Sequence, residues 1–191
     1  YLLLFVSLFS FAQQSKSVDF TSVLGKIEVN PMDKSVSGEV TYDFIINKSI
    51  DTIKIDAQNI EFTNLKINNI EVKYSNNRKQ ILLFEGYKLG KNKLTFNYLA
   101  RPKQAMYFVG KGEQLQIWTQ GQGKYTSNWF PSFDDPNEKL IFNLDIKFNN
   151  QFQVISNGKL ENKITSQDNF IWNYRMKKPM SSYLLMIAIG K

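Results

Sequence analysis

The sequence predicts an all-β fold, a sandwich or saddle of antiparallel sheets, and three observations carry that expectation. Apolar and polar residues alternate with a period of two through most of the chain, and no stretch keeps helical periodicity over three turns. The apolar runs are short, and turns rich in Asn, Ser, Lys and Gly separate them.

Early strands are predicted at Gly38 to Ile46, Thr52 to Ile55, Glu61 to Ile67 and Gln80 to Phe84. Leu94, Phe96 and Tyr98 then share one face of a strand whose other face carries Thr95 and Asn97. The clearest alternation is Leu140, Phe142, Leu144, Ile146 and Phe148 against Asn143, Asp145 and Lys147. Asn149-Asn150 should turn the chain, and Phe152 and Val154 open a returning strand. Phe170, Trp172, Tyr174 and Met176 repeat the pattern against Asn173, Arg175 and Lys177. Many short strands with regular turns make two or more packed sheets. The 191 residues are 42% hydrophobic and 14% aromatic, which suffices for one ordinary core. No repeat, low-complexity tract or linker interrupts them, so residues 13–191 are expected to form one domain.

Residues 1–12 read YLLLFVSLFSFA, an apolar run too short to span a bilayer as a helix, followed abruptly by the polar Gln13 to Ser17. This is the h-region of a signal peptide, with Ser10 and Ala12 as the small residues before a cleavage site. The initiating Met and a basic n-region are absent, so the sequence is expected to begin inside a longer reading frame. Secretion or export to a periplasm follows, with no integral membrane span. Lys and Arg number 24 against 17 Asp and Glu, a formal charge of +7. The basic residues are scattered, with no run of five, which predicts a solvated surface and no nucleic-acid partner.

The chain contains no His and no Cys. It therefore has no imidazole or thiolate for a zinc site, and no His- or Cys-based catalytic group. No catalytic residue and no metal ligand are assigned, and no disulfide supports the core.

Met106 to Lys139 departs from the polar–apolar rhythm. Gly110, Gly112, Gly121, Gly123, two prolines and many aromatics make it a shaped loop region, the place where recognition is expected. Within it stand Thr119-Gln120-Gly121-Gln122, then Trp129-Phe130-Pro131-Ser132-Phe133-Asp134-Asp135-Pro136 and Lys139. These resemble the pattern T-Q-x-[EQ], F-P-x-[FY]-D-[DE]-P-x-x-K of the N-terminal domain of the aminopeptidase N family, with matching spacing. Ser156 to Leu160, and Pro179 to Leu184 leading to Ala188-Ile189-Gly190, are similar to two further blocks of that domain.

The resemblance implies a β-domain that packs on a downstream thermolysin-like catalytic domain, whose HExxH zinc site and G-x-M-E-N loop are absent from this chain. The parent would be a secreted zinc aminopeptidase acting on peptides with a free N-terminus. This chain by itself would bind no zinc and be inactive. The resemblance also implies substrate-binding roles for Gln122, as anchor of the peptide's α-amine, and for its neighbours Gln120 and Gly121. An amide oxygen accepting from an ammonium makes a charge-assisted bond worth about 1.5–3 kcal/mol when shielded from water. From residue type alone the two glutamines read as turn residues satisfying backbone groups.

Two positions depart from the family pattern. Ser127 stands where many members carry Arg, and Ser132 where Cys is frequent. Asp134-Asp135 reads as a turn whose carboxylates cap backbone N–H groups, not as an acid–base pair. Most of Trp118, Tyr125, Trp129, Phe130 and Phe133 should anchor the loop in the core. The alternative reading is a free-standing β-sandwich that binds carbohydrate or protein through this aromatic loop.

Overall fold

The computed structural model describes residues 14–191, and the expected leader, Tyr1 to Ala12, lies outside them. Sixteen strands run in chain order: β1 (Val18–Asn30), β2 (Ser35–Ile46), β3 (Ile53–Asp56), β4 (Glu61–Ile67), β5 (Ile70–Glu71), β6 (Tyr74–Asn76), β7 (Gln80–Leu83) and β8 (Gly90–Ala100), then β9 (Met106–Val109), β10 (Gln116–Thr119), β11 (Lys139–Asn149), β12 (Gln153–Ser156), β13 (Lys159–Ser166), β14 (Asn169–Arg175), β15 (Met180–Ser181) and β16 (Ile187–Gly190). They form a nine-stranded sheet ordered β13-β14-β11-β1-β2-β8-β4-β5, with β15 also on β11, a four-stranded sheet β12-β16-β10-β9 and a three-stranded sheet β3-β7-β6.

The period-two pattern does what it promised on β11: Leu140, Phe142, Leu144, Ile146 and Phe148 are all buried. One core takes side chains from all three sheets, including Val23 and Phe96, Ile55 and Ile81, and Ile117 and Ile187. Tyrosine hydroxyls tie the layers: Tyr174 donates to the Val154 carbonyl at 2.7 Å, and Tyr74 to that of Phe62 at 3.0 Å. Such bonds satisfy the polar end of an otherwise apolar side chain.

One expectation is corrected. Phe152 and Val154 do not return along β11. The chain leaves the large sheet after Asn150, and β12 pairs with β16 in the four-stranded sheet. The reason is occupancy: β11 already has β14 on one side and β1 on the other. The pairing of β1 with β11 is parallel, so the sheet is mixed and not purely antiparallel.

Strand β1, beside β11, lacks a continuous period-two pattern. Its inward residues are Val18 and Phe20, then Val23, Gly25, Ile27 and Val29, because a bulge between Phe20 and Ser22 switches the phase. A glycine on the inward face hides the pattern further. A Cβ on Gly25 would lie 2.8 Å from the ring of Phe130, so the glycine is the space into which that loop aromatic packs.

Candidate functional site

Strand β10 ends at Thr119, whose Oγ1 accepts the N–H of Ile187 on β16 at 2.9 Å. The N–H of Gln120 donates to Ala105 O at 2.8 Å, closing the register with the residue before β9. Gly121 then passes through a gap that only glycine fits, since a Cβ there would lie 2.3 Å from Thr126 Oγ1 and 2.6 Å from the Tyr183 carbonyl. The next residues make a tight turn closed by Tyr125 N–H to Gly121 O at 3.0 Å, with Gly123 and Lys124 both at positive φ. Gln122 sits on this turn and is exposed, as is Gln120. Gln120 continues the outer face of β10 two residues beyond Trp118.

The four sequence blocks, spread from Thr119 to Gly190, meet here. Thr126 Oγ1 donates to Ser182 O at 2.9 Å, and Ser182 Oγ accepts Phe133 N–H at 3.3 Å. Ser181 Oγ donates to Pro136 O at 2.6 Å, and Asn157 bonds both the Leu184 carbonyl and the Met186 N–H. A single hydrogen-bonded platform therefore carries the exposed turn that presents Gln122.

Beneath it lies the WFPSF segment. Trp129, Phe130 and Phe133 are buried, and Tyr42 from β2 donates to Pro131 O at 2.5 Å. Trp118 and Tyr125, by contrast, remain more than a third exposed. Asp135 is a turn carboxylate, accepting both the backbone and the side-chain N–H of Asn137. Asp134 is held by its own N–H on Asp56 Oδ2 at 2.7 Å and by Ser127 Oγ on its carboxylate at 3.1 Å. Ser127 thus gives Asp134 a neutral hydrogen-bond partner. Burial first, then the Asp56 charge, raise the Asp134 carboxyl to about 6.

Two residues carry functions that residue-type reasoning did not assign. Glu138 is buried and its Oε1 accepts Phe20 N–H at 3.1 Å, satisfying a donor at the β1 bulge. Burial raises this carboxyl to about 7. Ser132 bridges Asp56 through both backbone groups at 2.9 Å, yet its buried hydroxyl has no partner. No sequence signal marks Glu138, because its role depends on a bulge more than a hundred residues away in the chain.

One row on the outer face of the four-stranded sheet is apolar, with Gln116 and Gln153 beside it. Ile155, Ala188, Trp118 and Tyr107 lie in one cross-strand row over β12, β16, β10 and β9. Ile155 is 58% exposed and Trp118 and Tyr107 each 38%, with their rings 5.8 Å apart. Val109, Tyr183 and Leu184 are exposed as well. Among the described residues no three Asp or Glu side chains converge as metal ligands, and with no His or Cys the donor set does not fit a zinc site.

The Peptidase M1 N-terminal domain family matches residues 24–184. The chain is similar to a probable aminopeptidase 1 from Sulfurisphaera tokodaii, 24% identical over 72% of this chain and 18% of that protein. It is also similar to aminopeptidase N from Lactobacillus helveticus, 25% identical over 87% of this chain and 20% of that protein. The fold matches the crystal structure of an M1 zinc metallopeptidase from Deinococcus radiodurans with a TM-score of 0.81 at 14% identity, covering 91% of this chain and 42% of that one. Yeast LTA4 hydrolase in complex with bestatin matches at a TM-score of 0.78 and 17% identity, over 92% of this chain and 29% of that one. The chain therefore spans about a fifth of the length of the curated relatives it matches. With the family pattern, the convergence of its blocks and the all-β architecture in agreement, the chain belongs to the Peptidase M1 N-terminal domain family.

Proposed function

We propose that this domain is the amine-recognising wall of a secreted or periplasmic zinc aminopeptidase, and that Gln122 anchors the free α-amine of the peptide. The single observation that carries the reading is the exposed turn at Gln122, held by Gly121 against the Ser182–Tyr183 segment. A turn whose backbone is already fixed leaves only the Gln122 side chain to be ordered on binding. An ammonium has three donors, and Gln122 accepts one through its amide oxygen. Gln120 borders the same surface, and Gly121 sets how closely the backbone approaches the substrate.

The row Ile155, Ala188, Trp118 and Tyr107 is the docking face for a catalytic domain that supplies zinc and the activated water. Exposed apolar side chains in register across a sheet are the surface such a partner buries. The zinc ligands and the hydrolytic chemistry belong to that partner, since this chain has no His or Cys and its described carboxylates do not cluster. The free-standing binding module is the weaker reading, because Trp129, Phe130 and Phe133 are spent in the core and leave few loop aromatics for a ligand.

The test compares two proteins. The full-length protein should hydrolyse aminoacyl anilides with a free amine and leave N-acetylated ones untouched, while residues 13–191 alone should show neither hydrolysis nor stoichiometric zinc. Tight zinc binding by the domain alone, or equal hydrolysis of acetylated substrates, would reject the reading.

A further inference from the structure

The net charge of the chain is not spread evenly. Residues 64–103 contain nine basic residues (Lys66, Lys73, Arg78, Lys79, Lys88, Lys91, Lys93, Arg101, Lys103) and two acidic ones, Glu71 and Glu85. That is a surplus of nine minus two, or +7, which equals the whole formal charge, and the remaining 15 basic and 15 acidic residues cancel. Of these nine, only Lys93, with Asp43, and Arg101, with Glu61, are in ion pairs among the described residues.

The fold gathers part of this segment into one tip at a free edge. Strand β5 ends the large sheet. Its hairpin turn, Asn68-Asn69, has both residues at positive φ, the geometry of a tight two-residue connection. Asn68 then stitches the hairpin to the β7–β8 loop, donating to Gly86 O at 3.2 Å and Asn92 Oδ1 at 3.0 Å. Asn92 in turn bonds the backbone of Lys88 in both directions and donates to Gly90 O. Lys73 N–H donates to Glu85 Oε1, and the Cβ position of Gly86 falls against Val72. These side-chain bonds fix a bracket from which Ile70 and Leu89 project, each 67% exposed, together with a half-exposed Phe84. Lys66, Lys73, Lys88 and Lys91 are exposed around them.

We propose that this tip docks the protein on an anionic phospholipid surface, with Ile70 and Leu89 entering the interface and the lysines on the headgroups. Two physical points choose lipid over nucleic acid. Ile70 and Leu89, the most exposed of the three, are aliphatic: they gain free energy only on leaving water for an apolar phase and offer no flat ring for a base, which leaves Phe84 as the single exposed ring of the three. Lysine is a compact, flexible charge suited to a headgroup layer, and each one near an anionic surface strengthens partition severalfold. The site is remote in sequence from the Gln122 turn, and the inference does not depend on the aminopeptidase reading.

The experiment is cosedimentation of the full-length protein with phosphatidylcholine vesicles, with and without about a third phosphatidylglycerol, at low and moderate salt. Binding is expected only to the anionic vesicles, weakening as salt rises. Lys88→Glu with Lys91→Glu should lower the partition coefficient at least tenfold. Ile70→Asp with Leu89→Asp should abolish binding at moderate salt, and unchanged thermal unfolding of both double variants confirms that they fold. Equal binding to neutral vesicles, no binding to anionic ones, or retention of binding by both variants would overturn the proposal. So would a single-stranded oligonucleotide that binds tightly through the same lysines while vesicles do not.

Discussion

Single residues decide how the loop platform is held. Ser132 is buried, and its hydroxyl has no partner. A buried polar group without a hydrogen bond costs about 1–3 kcal/mol, whereas a thiol behaves there as a small apolar group. Ser132→Cys is therefore predicted to raise stability by about 1 kcal/mol, a rise of roughly 2–4 °C in a thermal melt; an unchanged or lower Tm counts against the hydroxyl being an orphan. Glu138 and Asp134 make the second prediction. Both carboxyls are raised, to about 7 and about 6. The folded state thus holds protons that the unfolded chain has released, so their contribution is complete below about pH 4 and is lost as pH rises through about 6–7. Urea unfolding should show a stability decline from pH 4.5 to 8. Glu138→Gln keeps an acceptor for Phe20 N–H and should flatten that decline, gaining about 1–3 kcal/mol at pH 8 and little at pH 4. A Gln variant with the parent's pH dependence would show that Glu138 is not the group responsible.

At the scale of elements, regular strands were legible and irregular ones were not. Strand β11 could be read because every second residue from Leu140 to Phe148 is large and apolar. Strand β1 could not, since the bulge at Thr21 shifts its phase and Gly25 removes a side chain to admit Phe130. The course of Phe152 and Val154 was misread for a different reason. Alternation fixes which residues face inward but not which sheet they join, and that choice depends on which strand edges are free. The glycine at 121 is the sharpest element-scale test. Gly121→Ala must push the turn away from Thr126 and Tyr183 by more than side-chain adjustment allows, because the Tyr183 contact is backbone. The expected outcome is a loss of about 1–3 kcal/mol in denaturant unfolding. A neutral substitution would mean that the turn is not clamped.

For the whole molecule, the candidate site was legible only through the family pattern. Two glutamines in a loop say little by themselves, and the platform that carries them is assembled from three separate stretches, around Thr126 and Phe133, Asn157, and Ser182. The proposed docking face was not legible at all, because Ile155, Ala188, Trp118 and Tyr107 are brought into one row only by the sheet order β12-β16-β10-β9. Trp118→Glu should lower the thermal stability of the full-length protein more than that of the isolated domain, where the side chain is already 38% exposed. Equal effects on both would place Trp118 outside an interface.

The central claim is that the exposed turn recognises a free amine. The most direct measurement is steady-state hydrolysis of a free-amine peptide series by the full-length protein and its Gln122→Ala variant, with zinc content determined on both. Loss of a charge-assisted bond predicts a fall in kcat/KM of roughly 10–150-fold, carried mainly by KM, with zinc unchanged. Kinetics indistinguishable from the parent would contradict the account and return Gln122 to an ordinary turn residue.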